Sequence, residues 1–236
     1  MIGRGLAAAF ILAMLAACQP ASVSDKAFGE KVRAYLLAHP EVLEEATVRL
    51  QANQEAATAA AQKRAEANLP GLRAALEHDP RDFVANPGGK VTLTEFYDYR
   101  CPHCANIAPR IVELIHDHPQ IRVVFKEMPI FGATSEHAAY AALAVKKAGG
   151  DYLGLYQAFM NARPLDDASI DRLAIAKGAR AGDIVPGPAS TAQLAATSAL
   201  FRKLAMDGTP GFVIGDHIFT GEDMDQIVTD LAKPRV

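Results

Sequence analysis

Two cysteines separated by two residues are the part of this chain best suited to chemistry. Cys101 and Cys104 stand in the sequence Cys-Pro-His-Cys, directly after a run of alternating apolar residues at 91–97. The third cysteine, Cys18, lies near the N-terminus and has a separate explanation. A disulfide across two residues closes so small a ring that it adds little stability to a fold. Redox exchange between the two thiols is therefore the leading interpretation.

The expected position of the motif assigns a role to each thiol. A helix is predicted from the motif to about His116, which places Cys101 at the helix N-terminus. Unpaired backbone amides and the helix dipole stabilise a thiolate there, so Cys101 is the expected nucleophile. Cys104 lies one turn further on, where its sulfur can displace a substrate from a mixed disulfide. Cys104 is therefore the expected resolving thiol.

Other uses of a Cys-x-x-Cys motif find less support in the sequence. A structural zinc site usually has four Cys or His ligands, and no second pair accompanies the motif, although His103, His116 and His118 are near it. Covalent haem attachment requires a histidine after the second cysteine, where Ala105 stands. A purely structural disulfide and a Cu(I) site made by the reduced thiols stay open. We expect no resident metal and no cofactor other than the redox-active cysteine pair.

Length and charge limit the classes of protein and partner. The chain has 236 residues, of which 50% are hydrophobic, enough for one domain of ordinary size with an appendage. The formal net charge is −3, and no basic stretch resembles a nucleic-acid-binding surface. Nucleic acid is therefore not an expected partner.

The first residues predict export. A positively charged start is followed by an apolar run that ends at Ala17 and is too short to span a bilayer comfortably. The sequence at 15–18 resembles the bacterial lipobox, which implies a signal peptide over residues 1–17 and lipidation of Cys18. Ordinary secretory cleavage that leaves Cys18 as a free thiol stays open. Both routes lead to an oxidising compartment, and the lipobox implies a lipid-anchored protein of the bacterial envelope that faces the periplasm.

A helical arm is predicted over residues 18–80. Apolar residues recur at helical spacing in two blocks, before and after Pro40, so two helices are expected. The second helix continues as an Ala-rich stretch to Ala67, with little to bury against a core. Residues 24–78 are a candidate homo-oligomerisation segment. A spacer that lifts the rest of the protein off a membrane is the alternative.

A second domain is predicted over residues 88–236, and the turn-forming residues at 79–80 and 86–89 mark a linker at its start. Its pattern is strand, helix, strand, several helices, two strands and a helix. The β-rich run at 121–125 follows the motif helix, so a parallel pair of strands is expected. This order indicates an α/β fold of the thioredoxin-like type, with a helical cap inserted at about 132–206.

Four motifs in sequence order carry a family resemblance. They are EFYDYRCPHC at 95–104, KEMPI at 126–130, SEHAA at 135–139 and GTPGFVIG at 208–215. Together they resemble the DsbA family of thiol-disulfide oxidoreductases over about residues 90–232. The segment at 35–46 resembles the N-terminal part of ScsC-like and Com1-like members of that family.

The resemblance implies roles for residues outside the motif. Thr209 and Pro210 match the family's cis-proline dipeptide, which faces the cysteines and binds the substrate backbone. Glu95 matches the family's buried acid, which relays a proton to or from the resolving thiol Cys104. Lys126 is the expected charge partner of Glu95. A surface position for Glu95 and a solvated Lys126 stay open.

Pro102 and His103 complete the candidate catalytic set, and the resemblance implies the activity. A charged His103 stabilises the Cys101 thiolate, and a more stable reduced form makes the disulfide a stronger oxidant. Arg100 departs from the aromatic residue found before the motif in many oxidases, which implies a different choice of partner. The expected function is thiol-disulfide exchange on exported polypeptides, as an oxidase or an isomerase, with an unidentified membrane redox partner. The alternative is a Cu(I)-binding envelope protein for copper stress.

Overall fold

The computed structural model describes residues 25–231, and the chain divides into two compact units between Ala56 and Ala57. The first unit contains helix α1, Asp25–Ala38, and the N-terminal part of helix α2, Glu41–Glu77. The two helices predicted for the arm are thus confirmed. Large apolar side chains of this unit are exposed; they include Phe28, Tyr35, Leu37, Leu43, Val48 and Leu50.

The second unit begins inside α2 and is built around a five-stranded sheet. In chain order the strands are β1 Phe83–Ala85, β2 Val91–Tyr97, β3 Ile121–Glu127, β4 Gly211–Ile214 and β5 His217–Thr220. Their order across the sheet is β1-β3-β2-β4-β5. The predicted parallel pair is β2 with β3, and the other neighbours are antiparallel.

Helices connect the strands in the predicted order. Helix α3, Pro102–Asp117, is the crossover that a parallel pair of strands requires. The insertion between β3 and β4 contains α4 Ala133–Lys147, α5 Tyr152–Asn161, α6 Asp167–Ala176 and α7 Pro188–Lys203. Helix α8, Met224–Leu231, follows β5. The predicted thioredoxin-like fold with a helical insertion is confirmed. None of the helices in the described residues is long and apolar enough to cross a membrane.

Alternation along β2 sends its side chains to two separate cores. Leu93 and Tyr97 pack with α3 and the inserted helices on one face of the sheet. Phe96 packs on the other face, with Leu69 and Leu76 of α2. Because both faces are covered, the polar residues Thr94 and Glu95 of this strand are buried, which explains how a glutamate reaches the interior.

The C-terminal half of α2 differs from the expectation of an Ala-rich arm with little to bury. Leu69 and Leu76 are 1% and 2% exposed and belong to the core on the Phe96 side of the sheet. Gln62 Nε2 donates to the Ile218 carbonyl at 2.9 Å, and Glu66 accepts from the Ile218 N–H at 3.1 Å. These side chains satisfy the outward backbone groups of the edge strand β5. The structure therefore places residues 57–77 in the second unit.

Strand β1 lies in the segment for which the sequence indicates a linker. It pairs antiparallel with β3, with Phe83 opposite Phe125. The Phe83 ring stacks on Tyr152 of α5 with centroids 4.2 Å apart. A strand of three residues is too short to show a detectable alternation of apolar and polar residues in the sequence. Its pairing and packing in the folded protein define it.

Candidate active site

The Cys-Pro-His-Cys motif occupies the junction between β2 and α3. Cys101 is the N-cap residue, with extended backbone angles (φ −70°, ψ 120°), and Pro102 is the first helical residue. Proline suits that position because it has no N–H to satisfy and its φ is already helical. The backbone amides of His103 and Cys104, which have no partner within the helix, are directed at the Cys101 sulfur.

The surroundings of Cys101 favour its thiolate. The pKa of Cys101 is lowered from 9.0 to about 5, chiefly by a hydrogen bond from the Cys104 thiol. Burial opposes this shift, since Cys101 is only 1% exposed, and Thr209 and the two backbone amides lower the pKa further. Cys101 is therefore mainly ionised at neutral pH.

Cys104 has the opposite character. It is completely buried, and burial raises its pKa far above the ordinary value. The hydrogen bond to Cys101 and the charge of Glu95 raise that pKa further. Both cysteines are free, so the structure shows the reduced pair. One thiolate beside one protonated thiol can attack a disulfide and later be displaced by its neighbour.

The loop before β4 brings Thr209 and Pro210 to the motif from 108 residues further along the chain. The peptide bond between them is cis, so the dipeptide implied by the resemblance is present. The Cys101 sulfur lies 3.2 Å from the Thr209 carbonyl oxygen, to which it donates when it is protonated. The Thr209 hydroxyl is buried and has no other partner among the described residues, which leaves it available to a Cys101 thiolate.

Glu95 lies in the core close to Cys104. It is completely buried, and its Oε1 accepts a hydrogen bond from the Tyr156 hydroxyl at 3.0 Å. Burial raises the pKa of Glu95 to about 8, and the Tyr156 hydrogen bond only partly offsets this. Glu95 is therefore mainly protonated at neutral pH and lies close enough to influence the pKa of Cys104.

The structure places Lys126 away from Glu95, contrary to the expected charge pair. In the β2–β3 register Lys126 is opposite Phe96, so it faces the other side of the sheet. There its ammonium group pairs with the buried carboxylate of Asp82 and donates to the Ala75 carbonyl at 2.6 Å. Side chains alternate between the two faces along β3, so the pairing register of β2 with β3 is enough to show that Lys126 and Glu95 face opposite sides.

The neighbouring residue Glu127 is on the Glu95 side and was not identified from the sequence. It accepts a hydrogen bond from the Tyr152 hydroxyl, and burial raises its pKa to about 7. The Tyr152 hydroxyl is 2.6 Å from that of Tyr97, which is 3.1 Å from that of Tyr99. The buried carboxyl groups of Glu95 and Glu127 thus lie on the same face of the sheet, and each accepts a hydrogen bond from a tyrosine hydroxyl.

His103 is exposed, and its ring pairs with a residue that the sequence did not indicate. Its Nδ1 contacts Glu222 Oε1, and Asn106 Nδ2 donates to Glu222 Oε2 at 3.2 Å. The ion pair raises the pKa of His103 and lowers that of Glu222, while the Cys101 charge adds a smaller upward shift for His103. Glu222 is 119 residues from His103, and no sequence pattern joins them.

Within the described residues, no group of three or more His, Cys, Asp and Glu side chains is arranged to hold a metal ion. The two thiols of Cys101 and Cys104 are by themselves soft ligands of the kind that Cu(I) prefers. Cys18, the candidate lipidation site, lies outside the described residues.

Comparison with protein families gives two matches along the chain. The model of the DsbA-like thioredoxin domain matches residues 92–232. The model described as the N-terminal domain of copper resistance protein ScsC matches residues 26–57.

Individual proteins are similar to most of the chain or to part of it. The crystal structure of Proteus mirabilis ScsC in a transitional conformation is 31% identical, covers 91% of this chain and 96% of its own, and has a TM-score of 0.65. A periplasmic thioredoxin-like protein from Salmonella enterica serovar Typhimurium is 29% identical over 69% of this chain and 97% of its own, with a TM-score of 0.60. The thiol:disulfide interchange protein DsbA of Bordetella parapertussis is 27% identical over 140 residues, 56% of this chain and 66% of that relative.

Proposed function

The chain belongs to the DsbA-like thioredoxin-domain family, and from this membership we propose that it catalyses thiol-disulfide exchange on exported polypeptides. Cys101 is the nucleophile and Cys104 the resolving thiol. The observation that carries the proposal is the contrast between the two cysteines, one with a pKa of about 5 and the other protonated and buried.

In the oxidising direction the reaction begins from the Cys101–Cys104 disulfide. A substrate thiolate attacks the Cys101 sulfur, a mixed disulfide forms, and Cys104 leaves with the bonding electron pair. Because the pKa of Cys104 is high, the Cys104 thiolate then takes up a proton. The protonated carboxyl group of Glu95 is the nearby donor. The proton that Glu95 loses is replaced from solvent.

A second substrate thiolate completes the oxidation. It attacks the substrate sulfur of the mixed disulfide, the substrate disulfide forms, and Cys101 leaves as a thiolate. The low pKa of Cys101 makes it a good leaving group. The substrate loses two electrons and two protons, and the cysteine pair gains both electrons. A membrane redox partner of unknown identity would reoxidise the pair.

The stable thiolate favours oxidation over reduction, because whatever stabilises the reduced pair makes its disulfide easier to transfer. Pro102 starts the helix that directs amides at this thiolate, and the Glu222-paired His103 keeps a positive charge nearby. Thr209 and Pro210 bind the substrate backbone beside Cys101 in this proposal. The test is oxidation of reduced ribonuclease by residues 19–236, which omit Cys18, with Cys101→Ser as the control. Oxidation that does not require Cys101 would contradict the proposal.

Isomerisation is a second mode, which the helical arm favours. We assign residues 25–56 to homo-oligomerisation, because the described part of this unit exposes Phe28, Val32 and Tyr35 at helical spacing on α1. Several active sites on one oligomer suit the handling of wrongly paired substrates, with reduced Cys101 attacking a substrate disulfide. Light scattering at micromolar concentration should show an oligomer that Phe28→Asp with Tyr35→Asp dissociates. Recovery of activity from scrambled ribonuclease should fall with it.

Copper binding is a second candidate function, favoured by the match of residues 26–57 to the ScsC model. The reduced thiols of Cys101 and Cys104 would supply two ligands for Cu(I). Competition against a chromophoric Cu(I) chelator tests this candidate. Tight binding that requires both cysteines, without exchange activity on ribonuclease, would identify copper binding as the main function.

We also propose that the protein is anchored in the bacterial envelope through lipidated Cys18, after removal of a signal peptide over residues 1–17. The support is the lipobox-like sequence at 15–18 and the periplasmic location named for a similar protein. Incorporation of a labelled fatty acid, and its loss in Cys18→Ser, is the test. A mature protein that carries an unmodified Cys18 would contradict it.

A further inference from the structure

The loop that follows β3 is fastened directly to the residues before the cysteine motif. Asp98 is buried, and its Oδ1 accepts a hydrogen bond from the Arg100 N–H at 2.7 Å. Its Oδ2 accepts from the N–H groups of Ile130 and Phe131 at 2.7 and 3.1 Å. The Arg100 guanidinium donates to the Phe131 carbonyl at 3.0 Å. The motif turn and this loop are therefore held together as one surface.

That surface exposes two large apolar side chains and one arginine side chain. Ile130 and Phe131 are 40% and 46% exposed, although both are large and apolar. Arg100 is exposed and makes no ion pair with any described residue, since Asp98 is buried and occupied by three backbone amides. On the other side of the motif, the charged His103 is paired with Glu222. Arg100, by contrast, is a charge beside the nucleophile that has no ion-pair partner among the described residues.

We propose that Arg100, Ile130 and Phe131 form a recognition surface for substrate polypeptides that carry an acidic residue and an apolar residue beside the reacting cysteine. The proposal rests on the proposed function, because a substrate sulfur must come into bonding distance of Cys101. Residues of an extended chain are about 3.4 Å apart, so the neighbours of the substrate cysteine lie within reach of Arg100, the residue adjoining Cys101. Arg100 supplies charge complementarity, and the two apolar side chains supply contact area.

The charge part is tested with dithiol peptides that differ only in Asp, Asn or Lys after the first cysteine. Their oxidation by the disulfide form of the protein is followed by chromatography to give kcat/KM. Each value is divided by the rate with the uncharged 2-hydroxyethyl disulfide, which corrects for the intrinsic reactivity of each thiol. We expect the Asp peptide to exceed the Asn peptide by about threefold, the scale of one exposed ion pair, and the preference to shrink in high salt.

Variants assign the preference to the surface. Arg100→Glu should invert the order of the Asp and Lys peptides, whereas Arg110→Glu, at an exposed arginine further along α3, should keep it. Comparing peptides within one variant cancels any change in Cys101 reactivity. The unaltered protein should oxidise a peptide with Leu beside the cysteine faster than one with Ser there. Phe131→Ser should remove this preference, whereas Ile175→Ser, at a similarly exposed residue of α6, should keep it.

The outcomes separate this inference from the proposed function. Equal corrected rates for all peptides with the unaltered protein, or an Asp preference that survives Arg100→Glu, would overturn the recognition surface while exchange itself persists. If no peptide is oxidised, the proposed exchange activity itself fails, and the recognition surface fails with it.

Discussion

Glu95 and Tyr156 are joined by one buried hydrogen bond, in which the Tyr156 hydroxyl donates to Glu95 Oε1 at 3.0 Å. The second oxygen of the carboxyl group, Oε2, is buried and has no partner among the described residues. A carboxylate in this position would be poorly satisfied, so the protonated acid is the stable form. This relationship makes Glu95 costly to ionise and suited to hold a proton for Cys104.

We predict that Glu95→Gln stabilises the protein at neutral pH. The folded-state pKa of about 8 lies above the ordinary 4.5, so the folded protein keeps a proton that the unfolded chain releases. The stability that protonated Glu95 contributes is fully present below pH 4.5 and is lost as the pH rises through about 8. At about pH 7 the penalty removed by glutamine is roughly 2 to 3 kcal/mol.

Urea unfolding of both proteins at about pH 4.5 and about pH 7 checks this prediction. The advantage of Glu95→Gln should be small at the lower pH and grow at the higher one. Glu113→Gln, at an exposed residue of α3, is the matched control and should change the free energy of unfolding by less than about 0.5 kcal/mol. An unchanged pH dependence in Glu95→Gln would mean that Glu95 ionises normally.

The thiolate of Cys101 should depend on Cys104 more than on Thr209. The hydrogen bond from Cys104 is the largest cause of the low Cys101 pKa, and Thr209 contributes less. Cys104→Ala should therefore raise the pKa of Cys101 above about 5 by more than Thr209→Val does. Thiolate absorbance against pH measures both shifts, with Cys101→Ser as the blank. A larger shift in Thr209→Val would contradict the assigned order.

Removal of the Lys126 charge should strongly destabilise the fold. Lys126 and Asp82 are 2% and 1% exposed at their side chains, and Gln193 also donates to Asp82, at 3.3 Å. Lys126→Met leaves a buried carboxylate without its counter-charge, which costs about 3 to 5 kcal/mol. Burial already raises the pKa of Asp82, and loss of Lys126 raises it further, so the cost should diminish in acid.

The double variant Lys126→Met with Asp82→Asn separates charge from packing. It should regain much of the free energy of unfolding that the single variant loses, because no buried charge remains. Denaturant unfolding at about pH 7 gives the comparison. If the double variant is as unstable as the sum of the two single variants, the two side chains do not act as a pair.

The C-terminal half of α2 should contribute to the stability of the sheet unit. Leu69 is 1% exposed, so Leu69→Ala should lower the free energy of unfolding by about 2 to 4 kcal/mol through lost burial and a cavity. Arg73→Ala, one turn further on the same helix, removes surface ion pairs and should cost less than about 1 kcal/mol. A negligible effect of Leu69→Ala would show that this segment is only an appendage.

Local patterns in the sequence were sufficient for much of the fold. The alternation before Cys101, the helical spacing after Cys104 and the β-rich run that begins at Ile121 predict the strand, helix and parallel strand that the structure contains. Their order implies the crossover because parallel strands need one. The sequence did not predict strand β1, and it assigned residues 57–77 to the arm. The local signal is weak in both segments, and only contacts with partners elsewhere in the chain define their place in the structure.

The sequence by itself determined the reactive pair, the helix that begins at it and the class of chemistry. Two cysteines at this spacing at the start of a helix can exchange a disulfide whatever the rest of the chain does, because their approach depends on local geometry alone. Only the tertiary structure decided which partners surround them. Glu222 and Tyr156 reach the site from distant positions, and Lys126 turns away from Glu95 because the strand register assigns them to opposite faces. Burial and hydrogen bonding set each pKa, and both are properties of contacts that the order of residues does not display.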